Sequence, residues 1–416
     1  MIRSSYCILA SCVLLSACDT GPTERPLSTV RDSAGVQIVE IPGPSADVTP
    51  NWRIRVRPSL TIGAVEGRDE YQFSSVRGAV RLSDGRIAVL DGGTRQLRIY
   101  SADGSHISSS GRPGSGPGEF QLPTQLTRLS GDTLLVWDAQ RQTRSWFTPE
   151  GRFITSQLAD RGHWEGHFGP AVVTDVTSLL PDGSLLLRIR PARYPAELGW
   201  DRPPLGFARA SPDLSTVDSI GWFRGMETYN VGTESQPLLR SVLFGRSTRI
   251  AAGGSPMRLY IGGMESRIDG YDVHVYSSRG RLEKTLRHHV PERPLSPEEI
   301  EEAREYERAM YESGSSPRPE AWIAEQLQSM PIPPSAPPHG DLHVDSEGNL
   351  WVQEWRMPNS AQQRYNIFDP SGSAIGSLSL PGKFRIMDIG NDYVLGLGRD
   401  ANDVEFVHLY TLERQT

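Results

Sequence analysis

Residues 76–111, VRGAVRLSDGRIAVLDGGTRQLRIYSADGSHISSSG, decide the fold. Short apolar segments alternate here with Asp-Gly turn pairs, which is the pattern of consecutive antiparallel strands. Residues 124–156, TQLTRLSGDTLLVWDAQRQTRSWFTPEGRFITS, repeat the layout, with turns at Gly131-Asp132 and Glu150-Gly151. The chain therefore contains an internal repeat built from short strands.

Four further units share this pattern of apolar strands separated by polar turns. They begin at Val173, Thr248, Gly340 and Phe384. A four-stranded unit cannot bury both faces of its sheet by itself, and repeats of about 40 to 50 residues with four strands each are typical of β-propellers. The sequence therefore predicts an all-β fold, a six-bladed β-propeller. A long β-sandwich or two smaller β domains is the alternative.

Closure of the ring depends on the last unit, which supplies only three clear strands. A propeller joins its first and last blades to hide exposed strand edges. We therefore expect a strand from upstream of the first full unit to complete the last one. The two candidates are GVQIVEI at residues 35–41 and WRIRVRPSLTIG at residues 52–63.

The segment GRPGSGPGEFQLPTQLT at residues 111–127, followed by LLVWDAQRQTRSWFTPEG, resembles NHL-type repeats and the TolB-like six-bladed propellers of bacterial exported proteins. In that family a Gly-Pro-Gly-Glu-Phe segment joins blades and an aspartate ends the second strand, which Asp91 and Asp138 match here. The resemblance runs from Trp52 to the end, although the third and fourth units lack both features. NHL-type propellers include peptide-binding domains, RNA-binding domains and zinc-dependent lyases, so the resemblance implies a fold and leaves the activity open.

Residues 291–338 interrupt the repeats between the fourth and fifth units. Ser296 and Glu299 have the spacing of a capping box, and Pro297 suits the first position of a helix. A second short helix is predicted over residues 320–330, followed by a proline-rich segment. We expect this helical insertion to lie across one face of the propeller, as a lid or partner surface, or else to pack on its own blade.

The N-terminus has the order of a secretory signal, with Arg3 before an apolar stretch at residues 6–15 and small residues after it. Leu15-Ser16-Ala17-Cys18 resembles the lipobox of bacterial lipoproteins, in which the cysteine is acylated and the chain is cut before it. That resemblance implies lipid attachment at Cys18; ordinary cleavage is the alternative. The predicted division of the chain is a signal peptide at 1–17, a lipidated N-terminus and tether at 18–34, and a propeller at 35–416.

Composition limits the partners of the chain. All three cysteines lie at or before Cys18, so the remaining chain has no internal disulfide. The formal net charge of -7 makes nucleic-acid binding improbable, because phosphate contacts need clustered Lys and Arg. The expected location is the cell envelope, anchored to a membrane through the N-terminal lipid and facing the periplasm or the exterior.

Two histidine pairs have a spacing that superficially resembles metal ligands: His339 with His343, and His163 with His167. If His339 and His343 lie on a strand, they are about 13 Å apart at the usual rise per residue, which is too far for one ion, although a turn at Gly340 would shorten that distance. His163 and His167 lie in a Gly-rich loop, where aromatic packing on the rim is the favoured interpretation. We therefore predict no metal site, no cofactor and no catalytic residue. The Gly-rich run at residues 111–118 lacks the Gly-Lys-Ser/Thr ending of a phosphate loop and is predicted to be a linker.

Aromatic and charged side chains are the remaining candidates. The tryptophans that either line a ligand surface or pack between blades are Trp137, Trp146, Trp164, Trp351 and Trp355. Arg267, Arg356 and Asp388 lie near ends of inner strands. The sequence favours a module that binds an unknown protein or small-molecule ligand without chemistry of its own. The alternatives are a carbohydrate- or peptide-acting lyase or hydrolase at the channel mouth and a structural envelope component.

Overall fold

The computed structural model describes residues 28–43, 52–159, 162–194, 197–233, 236, 238–263, 270–313 and 318–414. Within these ranges the chain forms six mainly antiparallel sheets of four or more strands, one small three-stranded sheet and few helices. The N-terminal strands are β1 (Thr29–Ser33), β2 (Val36–Ile41), β3 (Trp52–Ile54) and β4 (Leu60–Ile62).

The first two sheets match the first two sequence repeats. Sheet 1 contains β5 (Val76–Arg81), β6 (Ile87–Asp91), β7 (Gln96–Tyr100) and β8 (His106–Ser110). Sheet 2 contains β9 (Pro123–Arg128), β10 (Leu134–Asp138), β11 (Thr143–Phe147) and β12 (Phe153–Leu158). A short helix α1 (Gly162–Glu165) follows.

Sheet 3 and the small extra sheet are interleaved along the chain. The strands are β13 (Ala171–Leu179), β14 (Leu185–Pro191), β15 (Gly199–Asp201), β16 (Pro204–Ala210), β17 (Val217–Arg224), β18 (Thr228–Asn230) and β19 (Leu239–Ser241). Sheet 3 has the order β13-β14-β16-β17, and β15, β18 and β19 form the extra sheet.

The helical insertion separates sheet 4, which precedes it in the sequence, from sheets 5 and 6, which follow it. Sheet 4 contains β20 (Arg249–Gly253), β21 (Arg258–Gly262), β22 (Gly270–Ser277) and β23 (Leu282–His289). The insertion contains α2 (Pro297–Ser313) and α3 (Glu320–Ser329). Sheet 5 contains β24 (Leu342–Val344), β25 (Leu350–Gln353), β26 (Gln362–Phe368) and β27 (Ala374–Pro381), and sheet 6 contains β28 (Arg385–Ile389), β29 (Tyr393–Arg399) and β30 (Glu405–Arg414).

The sheets are stacked face to face because their central strands are apolar on both sides. Successive side chains of a strand point to opposite faces. In β6, Ile87 and Val89 pack toward sheet 6, whereas Ala88 and Leu90 pack toward sheet 2. Similar buried clusters lie between each further pair of consecutive sheets. The contact between sheets 6 and 1 closes the series, which is a propeller-type all-β fold.

Strands from upstream of sheet 1 complete sheet 6. β3 pairs with β30 through Trp52 and Arg414, and β4 pairs with the same strand through Ile62 and Val407. Of the two predicted candidates, residues 52–63 therefore supply this pairing. β2 instead runs parallel to β23 on the outside of sheet 4, because Val39 and Ile41 bury their side chains in the cluster between sheets 4 and 5.

The N-terminal segment differs from the expected tether. Its last residues, 29–33, form β1, which pairs with β2 through a turn at Ala34 and Gly35, both at positive φ. Regular structure thus begins before the predicted boundary at residue 35. Cys18 and the predicted signal peptide lie outside the described residues. None of the described helices is long and apolar enough to cross a membrane.

Asp91 and Asp138 end β6 and β10, as the sequence predicts. Asp91 accepts hydrogen bonds from the backbone N–H groups of Ser75 and Gly93 at 3.2 and 3.0 Å. Both carboxylates are almost fully buried. Each one ties the linker that enters its sheet to the turn that follows its second strand.

The helical insertion begins with the predicted capping box. The Ser296 N–H donates to Glu299 Oε2 at 3.0 Å, and the Glu299 N–H donates to Ser296 Oγ at 3.2 Å. Ala303, Ile323 and Leu327 bury the inner faces of the two helices. Together with Leu243, Met330 and Met357 they form one buried cluster, distinct from the clusters between the sheets.

The large additions to the repeats that the structure describes lie at one edge of the sheets, here called the insertion edge. In an antiparallel meander the connection from the second to the third strand and the connection to the next sheet lie at the same edge. The helices, β15 and the pair β18–β19 all belong to such connections. β1 also begins there. β2 runs parallel to β23, so both strands end at the insertion edge, and Thr29 at the start of β1 pairs with Glu40 near the end of β2.

Candidate ligand-binding site

A cavity of about 170 Å³ lies between sheets 4 and 5 at the insertion edge and is here called the insertion pocket. One side is formed by strand residues of the two sheets and the other by the two chain segments that lead into and out of the helices. Its lining residues are Arg246, Gly270, Tyr271, His288, Val290, Pro291, Glu292, Arg293, Ser335, Ala336, Pro337, Pro338, Gln353, Glu354, Trp355 and Asn366.

His288 and Tyr271 are rigid wall residues of this pocket. His288 Nδ1 is 2.8 Å from the Tyr271 hydroxyl, and Nε2 is 2.8 Å from the carbonyl oxygen of Gly43. Burial lowers the pKa of His288 to about 4, so the ring is neutral at pH 7. Because both ring nitrogens are engaged, His288 positions the wall and has no free nitrogen to take a proton from a ligand.

Two residues that line this cavity, Asn366 and Arg246, each have a buried polar atom without a hydrogen-bond partner. Asn366 is buried, and its amide nitrogen donates to Glu354 Oε1 at 3.2 Å, but its Oδ1 has no hydrogen-bond partner. Arg246 Nη2 contacts Ser335 Oγ at 3.4 Å, and its Nε has no partner. Buried polar groups are normally satisfied, so these two atoms are unsatisfied polar positions in the wall of the cavity.

Trp355 forms the aromatic part of the rim. Its ring lies 4.9 Å below the Arg293 guanidinium and makes an edge contact with Phe244, with ring centres 5.6 Å apart. Arg293 also pairs with Glu299 at 2.8 Å, so the first turn of α2 is connected to the rim. The position of the indole therefore depends on the docking of the insertion.

The insertion pocket combines an apolar wall with a few convergent polar groups. This composition is typical of small-molecule sites. Its volume is similar to that of an engineered cavity of about 150 Å³ that holds benzene in another protein. The arrangement is suited to holding one ring or a short side chain, with hydrogen bonds at Asn366 and Arg246.

His339 and His343 contact different neighbours. His339 is buried, its Nδ1 contacts the carbonyl oxygen of Gly340 at 2.8 Å, and its ring centre lies 4.8 Å from that of Tyr271. His343 lies on β24 beside Tyr365. Burial lowers the pKa of both rings, to about 4 for His339. No group of three or more His, Cys, Asp or Glu side chains among the described residues is arranged to hold a metal.

His167 is exposed in a short turn after α1, and the side chain of His163 lies outside the described structure. The Gly-rich run at residues 111–118 joins sheets 1 and 2. Its backbone is held by Arg141, whose guanidinium donates to the carbonyl oxygens of Ser115 and Glu119 at 2.8 Å each.

The predicted aromatic and channel residues separate into two groups. Trp137, Trp146 and Trp164 pack between sheets 2 and 3, and Trp351 packs between sheets 5 and 6. Only Trp355 of these five tryptophans lines the insertion pocket.

Of the predicted channel residues, Arg356 donates to backbone carbonyls, including that of Gly382 at 2.9 Å. Asp388 accepts from the Tyr393 hydroxyl at 2.7 Å and from the Arg81 N–H at 2.9 Å, and burial raises its pKa. Arg267 lies outside the described residues.

Most pocket residues were missed by the sequence analysis. Arg246 precedes β20, Asn366 lies within β26, and Ser335 follows α3. No local motif joins such distant positions. The one sequence feature that pointed to the pocket was the insertion, because its entry and exit segments, residues 290–293 and 335–338, form a wall of the pocket.

Comparisons with known proteins give only distant likenesses. No protein-family model matches the chain, and no curated protein matches it. Among solved structures, a putative exported protein from Bacteroides fragilis is 13% identical, with a TM-score of 0.44 over 91% of this chain and 100% of that one. A member of the DUF4221 family from Bacteroides vulgatus is 11% identical, with a TM-score of 0.48 over 87% and 99%. A gluconolactonase from Xanthomonas campestris is 12% identical, with a TM-score of 0.42 over 86% and 99%.

Proposed function

We propose that this chain is a lipid-anchored, six-bladed β-propeller of the cell envelope that binds a small organic ligand in the insertion pocket. One observation carries the proposal: the insertion segments and the strands of two adjacent sheets form a cavity lined by Trp355, Asn366 and Arg246, and the last two each have a buried polar atom without a partner. The strands give the site a rigid base, and the insertion gives it a wall.

The ligand that fits this pocket has a planar apolar part and at least one hydrogen-bond donor. Trp355 and the proline-rich exit segment contact the apolar part. Asn366 Oδ1 accepts from the donor, and Arg246 offers a guanidinium to an oxygen of the ligand. The carboxylates of Glu292 and Glu354 balance the charges of Arg246 and Arg293 in the lining, so a neutral ligand fits better than a strongly charged one.

The proposed anchor agrees with the path of the N-terminal strands. β1 begins at the insertion edge, and Cys18 precedes Ser28 by ten residues. An extended chain of that length spans at most about 36 Å. A lipid on Cys18 therefore holds the insertion edge within a few nanometres of the membrane.

A fragment screen by thermal shift tests the binding function. A ligand present at ten times its dissociation constant stabilises the folded chain by about 1.4 kcal/mol, which raises the melting temperature by about 2 °C for a chain of this size. Ring-containing fragments with a hydrogen-bond donor should give this shift with the native chain and not with Trp355→Ala.

Trp222→Ala is the matched control, because Trp222 is a half-exposed indole on β17 away from the insertion pocket. It should keep the shift of the native chain. Fragments that stabilise Trp355→Ala and the native chain equally would contradict the proposed site. Fragments that are chemically converted on incubation would support the enzymatic alternative instead.

A further inference from the structure

A second cavity, of about 340 Å³, lies at the insertion edge beside the extra sheet and is here called the polar pocket. It is lined by three carboxylates, two guanidinium groups and two aromatic rings. These residues are Tyr194, Glu197, Trp200, Asp201, Arg202, Arg224 and Glu227. The backbone N–H of Arg246, which lines the insertion pocket, donates to Glu227 Oε2 at 3.1 Å, so the two pockets are neighbours, and they share no lining residue.

Asp201 is the buried acid of the polar pocket. Only 7% of the residue is exposed, and one oxygen, Oδ1, accepts a hydrogen bond from the Tyr194 hydroxyl at 2.8 Å. The other oxygen, Oδ2, is buried without a hydrogen-bond partner. No Lys, Arg or His of the described chain forms an ion pair with Asp201. The carboxylate therefore keeps one acceptor position open.

Arg202 is the cation of the same pocket. Its Nε donates to the carbonyl oxygen of Gly225 at 3.0 Å, and its Nη2 donates to that of Gly263 at 2.7 Å. These bonds fix the guanidinium plane against neutral backbone groups, while Nη1 is buried without a partner. Within the described residues no carboxylate pairs with Arg202, and burial lowers its pKa to about 10.

Two opposite charges thus line one cavity, and within the described residues neither of them forms an ion pair. Removing a charge from water costs several kcal/mol unless a partner of opposite charge compensates for it. A neutral ligand would leave both groups without an ion-pair partner. A ligand that carries one cationic and one anionic group would compensate for both.

We propose that the polar pocket is a second binding site, for a small zwitterion of the amino-acid class, with its ammonium group at Asp201 and its carboxylate at Arg202. The volume accommodates a free amino acid or a dipeptide. Trp200, which stands at 42% exposure with its ring 5.5 Å from that of Tyr229, supplies an apolar wall for the ligand side chain. This site goes beyond the ligand proposed for the insertion pocket and does not depend on it.

Titration calorimetry on the native full-length chain tests the assignment by varying the charged groups of the ligand. The probes are L-alanine, L-leucine, L-lysine, L-glutamate and dialanine, with the N-acetyl and amide derivatives of each and glucose as a neutral polyol. At least one zwitterion should bind, and blocking either charged end should weaken binding by about 10- to 100-fold, as expected for one charge-assisted hydrogen bond. This series requires no variant.

Variants then assign the two ends of the ligand. Asp201→Asn should reduce the discrimination against the N-acetyl form, and Arg202→Gln should reduce the discrimination against the amide. The exposed residues Asp403 and Arg57 provide matched controls in Asp403→Asn and Arg57→Gln, which should bind like the native chain.

The inference is overturned if no probe binds, if glucose binds as well as the zwitterions, or if blocked and free amino acids bind equally. Trp355→Ala should leave zwitterion binding unchanged, because Trp355 lies in the other pocket. Loss of zwitterion binding in that variant would likewise contradict a separate site. Failure of the fragment screen at the insertion pocket would leave these outcomes unaffected, so the two proposals are tested independently.

Discussion

Replacement of Asp138 tests how the sheets are held together. Its carboxylate accepts four backbone hydrogen bonds: Gln121 at 2.6 Å on Oδ2, and Leu122, Gln140 and Arg141 at 3.2, 3.1 and 2.9 Å on Oδ1. Asn keeps Oδ1 but turns an NH2 group toward the Gln121 N–H. One charge-assisted bond is lost and one donor is left unpaired, which costs about 3 kcal/mol.

Asp138→Ala removes all four bonds from a buried position, and we expect a cost of about 5 kcal/mol, near the upper end for single substitutions. Urea unfolding followed by tryptophan fluorescence measures both values. Asp403→Asn is the control, because Asp403 is an exposed turn residue, and it should stay within about 0.5 kcal/mol of the native chain. If Asp138→Asn also stays within about 1 kcal/mol, the carboxylate does not hold the linker as described.

Three further predictions concern the histidines, the insertion and the anchor. Burial lowers the pKa of His288 and of His339 to about 4, so the unfolded chain binds more protons than the folded chain between pH 6.5 and 4. The free energy of unfolding should therefore fall by up to about 3 kcal/mol per ring as the pH drops through that window. Urea midpoints of the native chain and of His339→Gln at pH 7.5 and 5 measure this fall, and an equal pH dependence in both proteins would contradict it. Leu327→Ala should lower the free energy of local unfolding of the insertion by about 3 kcal/mol, because it removes a buried side chain between the helices and their cluster. Limited proteolysis should then cut faster within residues 291–338. Unchanged cleavage would show that this contact does not dock the helices. Cys18→Ser should move the protein from the membrane to the soluble fraction and abolish labelling by a fatty acid, and retention of either property would refute the proposed lipid anchor.

The sheet strands could be predicted because their pattern is local. Turn pairs and period-two apolar segments recur in each repeat, and the structure places β6 and β10 at those segments with both faces buried. The capping box at Ser296 and the strand-ending aspartates were also predictable, since each depends on residues close together in sequence. Short-range chemistry determines these features.

The features that require distant contacts could not be predicted. β15, β18 and β19 have three residues each and lie in segments whose composition is that of loops, so only their mutual pairing makes them strands. The hairpin of β1 and β2 belongs to sheet 4, because pairing of β2 with β23 buries Val39. No local sequence pattern indicates this parallel pairing. The two pockets likewise combine side chains from separate segments.

Crystallographic fragment screening of the native chain tests the central claim most directly. The account predicts electron density for ring-containing fragments in the cavity between Trp355 and Pro337, with a hydrogen bond to Asn366. Fragments that bind elsewhere on the chain while this cavity stays empty would contradict a ligand-binding function for the insertion pocket.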